Sequence, residues 1–301
     1  MERAGGSAAP RFAIIVPAYQ AAATLAETLD AILAQTFDDW ECAVVDDGST
    51  DATFEIASRY ATADPRFLAI TKANQGTAGA YSAGVLGTTG AFIVLCSADD
   101  VLLPEHLSRM SAFIEAERDY DIYTTNGYRW RPDGSRKLVY PEARFAIVHS
   151  QSLADVIGMC PYGVGATYRR RIFGLVDGYR HGIFAEDYDF WLRAMARGAR
   201  HRFLPEPLSL FRISATQKSA DKVRVLQTDI ALVSGLSATH RLSAAERQAI
   251  RARIVERSQR LAPLLPPQPN SVARMRRRIR RALRRLLGKE RLDRWARAAR
   301  R

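Results

Sequence analysis

The sequence predicts an α/β fold, a central and mostly parallel sheet flanked by helices, followed by a helical C-terminal extension. Three observations carry this. Four apolar runs, at residues 12–16, 40–45, 67–71 and 92–95, each lead through a polar loop into a segment of helical period. Further strand signals follow in a less regular order and stop past Ser219. Beyond them come two long helical periods and a Pro-rich linker.

The 301 residues, 47% of them hydrophobic, suffice for one large domain with an appendage. Cys42, Cys96 and Cys160 are odd in number and widely spaced, which fits neither a disulfide framework nor metal-ligand spacing. A reducing compartment is expected. The first ten residues lack the apolar core of a signal peptide, and no apolar run approaches the roughly 20 residues that span a bilayer. The net charge of +12 is local. Residues 270–301 hold thirteen Arg and one Lys against Glu290 and Asp293, a surplus equal to that of the whole chain. Residues 1–269 are therefore neutral in sum, and no specific nucleic-acid partner is expected of the main domain.

Phe12 to Val16 reads as the first strand, closed by Pro17. Thr24 to Gln35 carries Leu25, Leu29, Ile32 and Leu33 at helical spacing. Trp40 to Val45 is a second strand ending in Asp46-Asp47-Gly48-Ser49-Thr50-Asp51, which supplies a turn glycine and capping side chains for a helix over 52–60. Phe67 to Thr71 is the third strand, followed by Asn74-Gln-Gly-Thr-Ala-Gly79 and a helix to about Leu86. Phe92 to Leu95, continuously apolar as in a strand buried on both faces, ends in Cys96-Ser-Ala-Asp-Asp100 before a helix over 104–117. No GxGxxG follows the first strand, which argues against a dinucleotide-dependent dehydrogenase.

In the second half a strand is expected over 121–125, then a hairpin of 128–131 and 137–140 turning at Pro132-Asp133-Gly134. A strand over 164–168 and a short helix near 170–173 lead to Glu186-Asp187 and a helix over 188–197. Two short strands, 201–204 and 208–212, close the series. Helices are expected over 221–235 and 243–260, with a stiff linker at Pro263-Leu-Leu-Pro-Pro-Gln-Pro269. The domain plan is thus a flexible 1–10, a main domain 11–219, a helical extension 220–262, a linker 263–270 and a basic amphipathic helix 271–301. In that last segment Val272, Met275, Ile279, Ala282 or Leu283, Leu286 and Leu287 share one side and arginines the other, the pattern of a helix lying on an anionic membrane surface. A basic tail that is disordered or binds nucleic acid nonspecifically is the alternative.

Three acidic pairs stand at loop positions: Asp46-Asp47, Asp99-Asp100 and Glu186-Asp187. Each alone fits helix capping. Together they fit a cleft at the carboxyl ends of parallel strands. There one carboxylate accepts from a base N–H, one holds a hard divalent cation on a diphosphate, and one serves as general base.

The motifs Ile14-Ile-Val-Pro-Ala-Tyr19, Gln35-Thr-Phe-Asp-Asp-Trp-Glu41, Val44-Val-Asp-Asp-Gly-Ser-Thr-Asp51, Asn74-Gln-Gly76, Ser97-Ala-Asp-Asp100 and Ala185-Glu-Asp-Tyr-Asp-Phe-Trp-Leu192 resemble, in order, those of family-two inverting glycosyltransferases. The resemblance covers about residues 11–215. It implies a GT-A fold, with a Rossmann-like mixed sheet, a nucleotide-sugar donor, and a divalent metal, Mg²⁺ or Mn²⁺. It also implies single displacement with inversion at the anomeric carbon. By motif, Pro17, Ala18 and Tyr19 line the nucleotide pocket and Asp46 reads the base. Lys72 and Asn74 approach the nucleotide or its diphosphate. Asp99 is the metal ligand, Asp187 the catalytic base with Glu186 beside it, and Trp191 shapes the acceptor side. Asp47 is read equally as a turn cap or a ligand contact, and Lys72 equally as a surface lysine.

Two departures stand out. Ser97 takes the first position of the family's Asp-x-Asp motif, leaving a hydroxyl for the ribose. Ser214 stands where many relatives carry the His of Arg-x-His, which lowers the expected metal affinity. His106, His149, His181 and His201 share no ligand spacing, and Gln217-Lys218-Ser219 is placed as a flap over the donor. The processive Gln-x-x-Arg-Trp signature is absent, so one sugar per encounter is expected. The acceptor is expected to be a hydroxyl of a lipid-linked or surface glycan, with the enzyme cytoplasmic and peripheral on the inner face of the membrane. A polyprenyl-phosphate acceptor and a catalytically silent membrane-surface scaffold are the alternatives.

Overall fold

The structure is a computed structural model, and it describes residues 9–144, 152–158, 163–214 and 217–265. The expected basic helix over 271–301, the end of the Pro-rich linker, most of the N-terminal ten residues, His149 and Cys160 lie outside the described residues. The chain divides into two units, 1–258 and 259–301. Of the second, residues 259–265 are described and comprise the last turn of a helix and the 3-10 turn Ala262–Leu264.

The first half is a run of strand and helix: β1 (Phe12–Ala18), α1 (Leu25–Leu33), β2 (Trp40–Asp46), α2 (Thr53–Ala63), β3 (Phe67–Thr71), α3 (Gly76–Leu86) and β4 (Phe92–Leu95). These strands are all parallel, in the spatial order β3-β2-β1-β4. Alternation of side chains sorts their residues between two cores. Ala13, Ile15, Ala43, Val45, Ile93 and Leu95 pack on one face with α3. Phe12, Ile14, Val16, Cys42, Val44, Phe92 and Val94 pack on the other with α1 and the later helix α4 (His106–Ala116). Burial on both faces is why these strands read as unbroken apolar runs. Gly84 lets α3 lie directly on the sheet, since a Cβ there would sit 2.4 Å from Cγ2 of Ile15.

The second half adds β5 (Val101–Leu102), β6 (Ile122–Trp130), β7 (Arg136–Leu138), α5 (Leu153–Gly158), β8 (Thr167–Arg169), α6 (Arg171–Leu175), α7 (Glu186–Ala196) and β9 (His201–Arg212). β8 pairs antiparallel with β4 and β6, and β9 runs parallel to β6 and antiparallel to β5. Among the described residues the sheet has nine strands, ordered β3-β2-β1-β4-β8-β6-β9-β5 with β7 on β6, and is mixed. Helices α8 (Lys222–Thr239) and α9 (Ala244–Leu261) follow, and Val233, Leu236 and Ile250 join the core on the α3 side. Asp229 of α8 is buried between Arg253 and Arg257 of α9, and Arg253 also donates to the Gly158 carbonyl at 2.7 Å. Among the described residues no helix is long and apolar enough to cross a membrane.

Boundaries differ from expectation most at Pro17, over 201–212 and after Thr125. Pro17 lies inside β1, which runs on to Ala18. The Ile15 carbonyl accepts from Cys96 N–H on the β4 side, so Pro17, two residues on, faces the same side just past the end of β4. Its missing N–H therefore costs no ladder bond. The two strands expected over 201–212 are one, because Pro205 and Pro207 are carried across register shifts against β6. The strand expected to stop at Thr125 continues through Trp130 as β6.

Candidate active site

The polar end of the first four strands is a ledge. Asp46 is the last residue of β2 and is buried; its carboxylate accepts from the Ser49 N–H at 3.1 Å and from the Thr71 hydroxyl at 2.9 Å. Gly48, at φ +77°, makes the turn, and a Cβ on it would meet the Asn74 nitrogen at 3.0 Å. Asp47 accepts from Lys72 Nζ at 2.7 Å and from the Gln75 N–H at the start of α3 at 3.0 Å. Asp47 is thus a cap and Lys72 its counter-ion. Asn74 is exposed and accepts from the Gly76 N–H at 3.2 Å. Ala18 is buried, Pro17 half-buried, and Tyr19 presents its ring to solvent at 55% exposure. Next to it Gln20 holds a left-handed backbone (φ 51°), fixed by bonds to Ser49 and Thr50. A strained residue beside an open aromatic ring is typical of a ligand-facing turn.

The second part of the ledge follows β4. The Ser97 carbonyl accepts from Asp100 N–H, and the Thr24 and Thr28 hydroxyls bind the carbonyls of Ala98 and Asp100 at 2.9 and 2.8 Å. Ser97 is half-buried beside Asp100 and hydrogen-bonds to it. Arg212, at the end of β9, donates Nε–H to the Asp99 carbonyl at 2.9 Å and its backbone N–H to Asp100 Oδ1 at 3.0 Å. It also reaches Glu27, and its guanidinium lies 4.3 Å above the Trp130 ring. Burial raises the pKa of both acids, and the Asp99 charge raises that of Asp100 further. Sequence reasoning gave Arg212 no role, although it is the arginine of the altered Arg-x-His segment.

The third part is the start of α7. Glu186 is buried and pairs with Lys218; Asp187 is half-buried and accepts from the Tyr188 N–H at 2.7 Å. Burial raises the pKa of both carboxyls, Asp187 raises Glu186 further, and Lys218 lowers both. An aromatic column fixes this helix against α3: Tyr81 stacks on Tyr179 at 5.1 Å, and Tyr179 on Phe190 at 4.4 Å.

Tyr81 joins the parts. Burial holds its phenol well above the usual pKa, and the negative charges of Glu186, Asp187 and Asp100 all add to that rise. Asp100 after β4 and the two acids opening α7 thus lie within electrostatic reach of one buried phenol. Asp46 stands at the end of the strand on the far side of β1 from β4. That places it about 10 Å across the sheet from the β4 turn, two strand spacings. Neither Tyr81 nor Tyr179 belongs to a motif: Tyr81 sits among small residues of α3 and Tyr179 in a Gly-bounded polar loop. Trp191, expected on the acceptor side, is fully buried and packed edge-on against Tyr168 and Phe190. A cleft of about 200 Å³ over one face of the paired strands β6 and β9, lined by Thr125, Gly127, Arg129, Tyr140, Ser209 and Phe211, includes none of these acids.

Among the described residues no group of three or more His, Cys, Asp or Glu is gathered to cage a metal. The donor set suits a different arrangement. Asp99 offers one partly enclosed carboxylate whose nearby guanidinium binds the backbone carbonyl rather than the side chain. A small hard cation held by one or two carboxylates, with waters and phosphate oxygens completing its shell, fits such a partial site.

The sequence profile of Glycosyl transferase family 2 matches residues 13–175, more than half of the chain. The PGL/p-HBAD biosynthesis glycosyltransferase of Mycobacterium bovis (strain BCG / Pasteur 1173P2) is 32% identical over 202 residues, covering 64% of this chain and 72% of that protein. Two solved structures share the fold. S. aureus TarS 1–349 in complex with UDP-GlcNAc superposes with a TM-score of 0.66 at 20% identity, over 82% of this chain and 72% of that one. The mannosyltransferase PcManGT from Pyrobaculum calidifontis, in complex with GDP-Man and Mn²⁺, gives 0.63 at 17% identity over 96% and 84%. The acid-bearing ledge, the mixed nine-stranded sheet and these likenesses agree: the chain belongs to glycosyl transferase family 2 and is a glycosyltransferase enzyme of the GT-A fold.

Proposed function

We propose that this enzyme moves one sugar from a nucleoside-diphosphate donor to a hydroxyl acceptor by single displacement with inversion, Asp187 acting as general base. The observation that carries this reading is that Asp100, in the turn after β4, and Glu186 and Asp187, at the start of α7, all act electrostatically on the one buried phenol of Tyr81. Tyr19, Asp46 and the turn through Asn74 offer the nucleoside an open ring and a buried acceptor on the exposed end of β1 and β2. Ser97 offers a hydroxyl in place of the family's first acid. Asp187 is enclosed enough to hold a proton above the usual carboxylate range, as a base acting near neutral pH requires. It accepts the acceptor's proton as the new carbon–oxygen bond forms, and the bond to the diphosphate breaks on the opposite face. Asp99 is the residue that would hold Mg²⁺ or Mn²⁺, whose chemistry is to offset the charge of the departing diphosphate. The donors and Mn²⁺ in the two neighbouring structures support this choice of ligand class.

The acceptor is proposed to be a lipid-linked or surface glycan, met at the inner face of the membrane. The reason is the arginine-rich stretch 271–301 with its apolar stripe. Co-sedimentation with anionic vesicles, lost on truncation at Pro269, tests that part. The donor reading is tested by calorimetric titration and nucleotide release with UDP-GlcNAc, GDP-mannose and other nucleotide sugars, with and without Mn²⁺. Metal-dependent binding and release from at least one donor is expected. Absence of both across the panel rules the reading out.

A further inference from the structure

We infer that Lys218 is a positioning residue for the base: by holding the charge of Glu186 it leaves Asp187 free to accept the proton of the incoming hydroxyl. The inference rests on the proposed role of Asp187. Lys218 opens the 3-10 turn Lys218–Ala220, beyond β9 and outside every motif that marks the family. The turn is seated by several contacts. The Lys218 ammonium binds the buried Glu186 carboxylate and lies 5.0 Å from the centre of the Phe184 ring. Arg224, in the first turn of α8, stacks on the same ring at 4.4 Å. The Gln217 side chain accepts from the Ser214 N–H at 2.7 Å, bracing the approach from β9.

Consecutive carboxylates in a poorly solvated place cannot both ionise without a cation, so an unopposed pair keeps one proton between them. Shared across the pair, that proton would keep the base from being fully ionised. The groups facing the pair are few. From α3 comes Tyr81, and from the segment before α7 comes Tyr179; both are phenols kept neutral by burial. On α5, Asp155 is bonded to Ser152. From α8, Arg224 is stacked on Phe184, and Asp229 is held by Arg253 and Arg257 of α9. Among the described residues Lys218 supplies the positive charge that lowers the proton affinity of both Glu186 and Asp187.

The test follows protonation with two readouts. One is carbodiimide labelling of the peptide holding Glu186 and Asp187 as a function of pH, which needs no substrate. The other is the pH profile of UDP release from UDP-GlcNAc, or GDP release from GDP-mannose, with Mn²⁺ and water as the acceptor. In Lys218→Met both midpoints move up by about one pH unit, a tenfold loss of ionised base on the acid side. Lys218→Arg restores them. In Glu186→Gln/Lys218→Met the midpoint returns toward wild type, since the charge that needed a cation is gone. Unmoved midpoints in Lys218→Met, or a loss that is equal at every pH, overturn the inference, as does a double variant no better than the single. Melting curves confirm folding, and Lys218→Arg and Glu186→Gln read the same midpoints if Lys218→Met does not fold. Asp187→Asn in the same assay separates the two claims. Release that persists in it defeats the base assignment, whereas an inactive Asp187→Asn beside an unmoved Lys218→Met profile defeats only the role of Lys218.

Discussion

Arg212 holds Asp99 in place through its backbone: Nε–H of the guanidinium donates to the Asp99 carbonyl at 2.9 Å, across 113 residues of sequence. The same side chain rests on Trp130 at 4.3 Å and reaches Glu27, while its backbone N–H binds Asp100. One residue therefore sets the turn that carries the proposed cation ligand without touching that carboxylate by hydrogen bond.

Arg212→Ala is expected to weaken Mn²⁺-dependent binding of the nucleotide sugar by about tenfold or more, the worth of a charge-assisted hydrogen bond. Arg212→Lys should recover little of it, since an ammonium lacks the planar fork and stacks poorly on Trp130. Titration calorimetry at fixed Mn²⁺ checks both. Equal affinity in wild type and Arg212→Ala contradicts the assignment.

The buried acids make a statement about stability. Burial raises the pKa of Asp99 in the folded state above its unfolded value. Such a group binds a proton more readily when folded, so it costs nothing at low pH and destabilises the fold as pH rises through the raised value. Asp99→Asn is therefore expected to melt higher than wild type at pH 8, with the difference shrinking as pH falls below the usual carboxylate range. A melting series from pH 4 to pH 8 reads this, and an Asp99→Asn variant that melts lower at pH 8 is the opposite result.

Trp191 is placed in the core, and its substitution is expected to show as lost stability. Trp191→Ala removes a fully buried ring packed on Tyr168 and Phe190 and should cost about 3–5 kcal/mol. Trp191→Phe should cost less. Denaturant melts measure the loss. An unchanged midpoint with altered acceptor preference would return Trp191 to the acceptor surface.

Much of the first half was legible because each strand is buried on both faces and each loop ends in acids or glycine. Ile14, Val44 and Val94 announce a parallel sheet, and Asp46, Asp99 and Asp187 mark the edge proposed to face the ligand. The second half was less legible where local signals conflict. Pro205 and Pro207 look like breaks, yet β9 passes through them because the register against β6 shifts there. Trp191 takes its acceptor-side expectation from the motif alone, and its burial against Tyr168 and Phe190 depends on β8 and the rest of α7 closing over it. Arg212, Tyr81 and Lys218 could not be assigned from spacing, since each acquires its role only when distant segments close on the acids.

The central claim is most directly tested by Asp187→Asn, measured for both donor binding and turnover in one preparation. The account predicts that nucleotide-sugar affinity in the presence of Mn²⁺ stays within a few-fold of wild type while nucleotide release falls by about 10²–10⁴, the usual contribution of a positioned base. Turnover at the wild-type rate would contradict it.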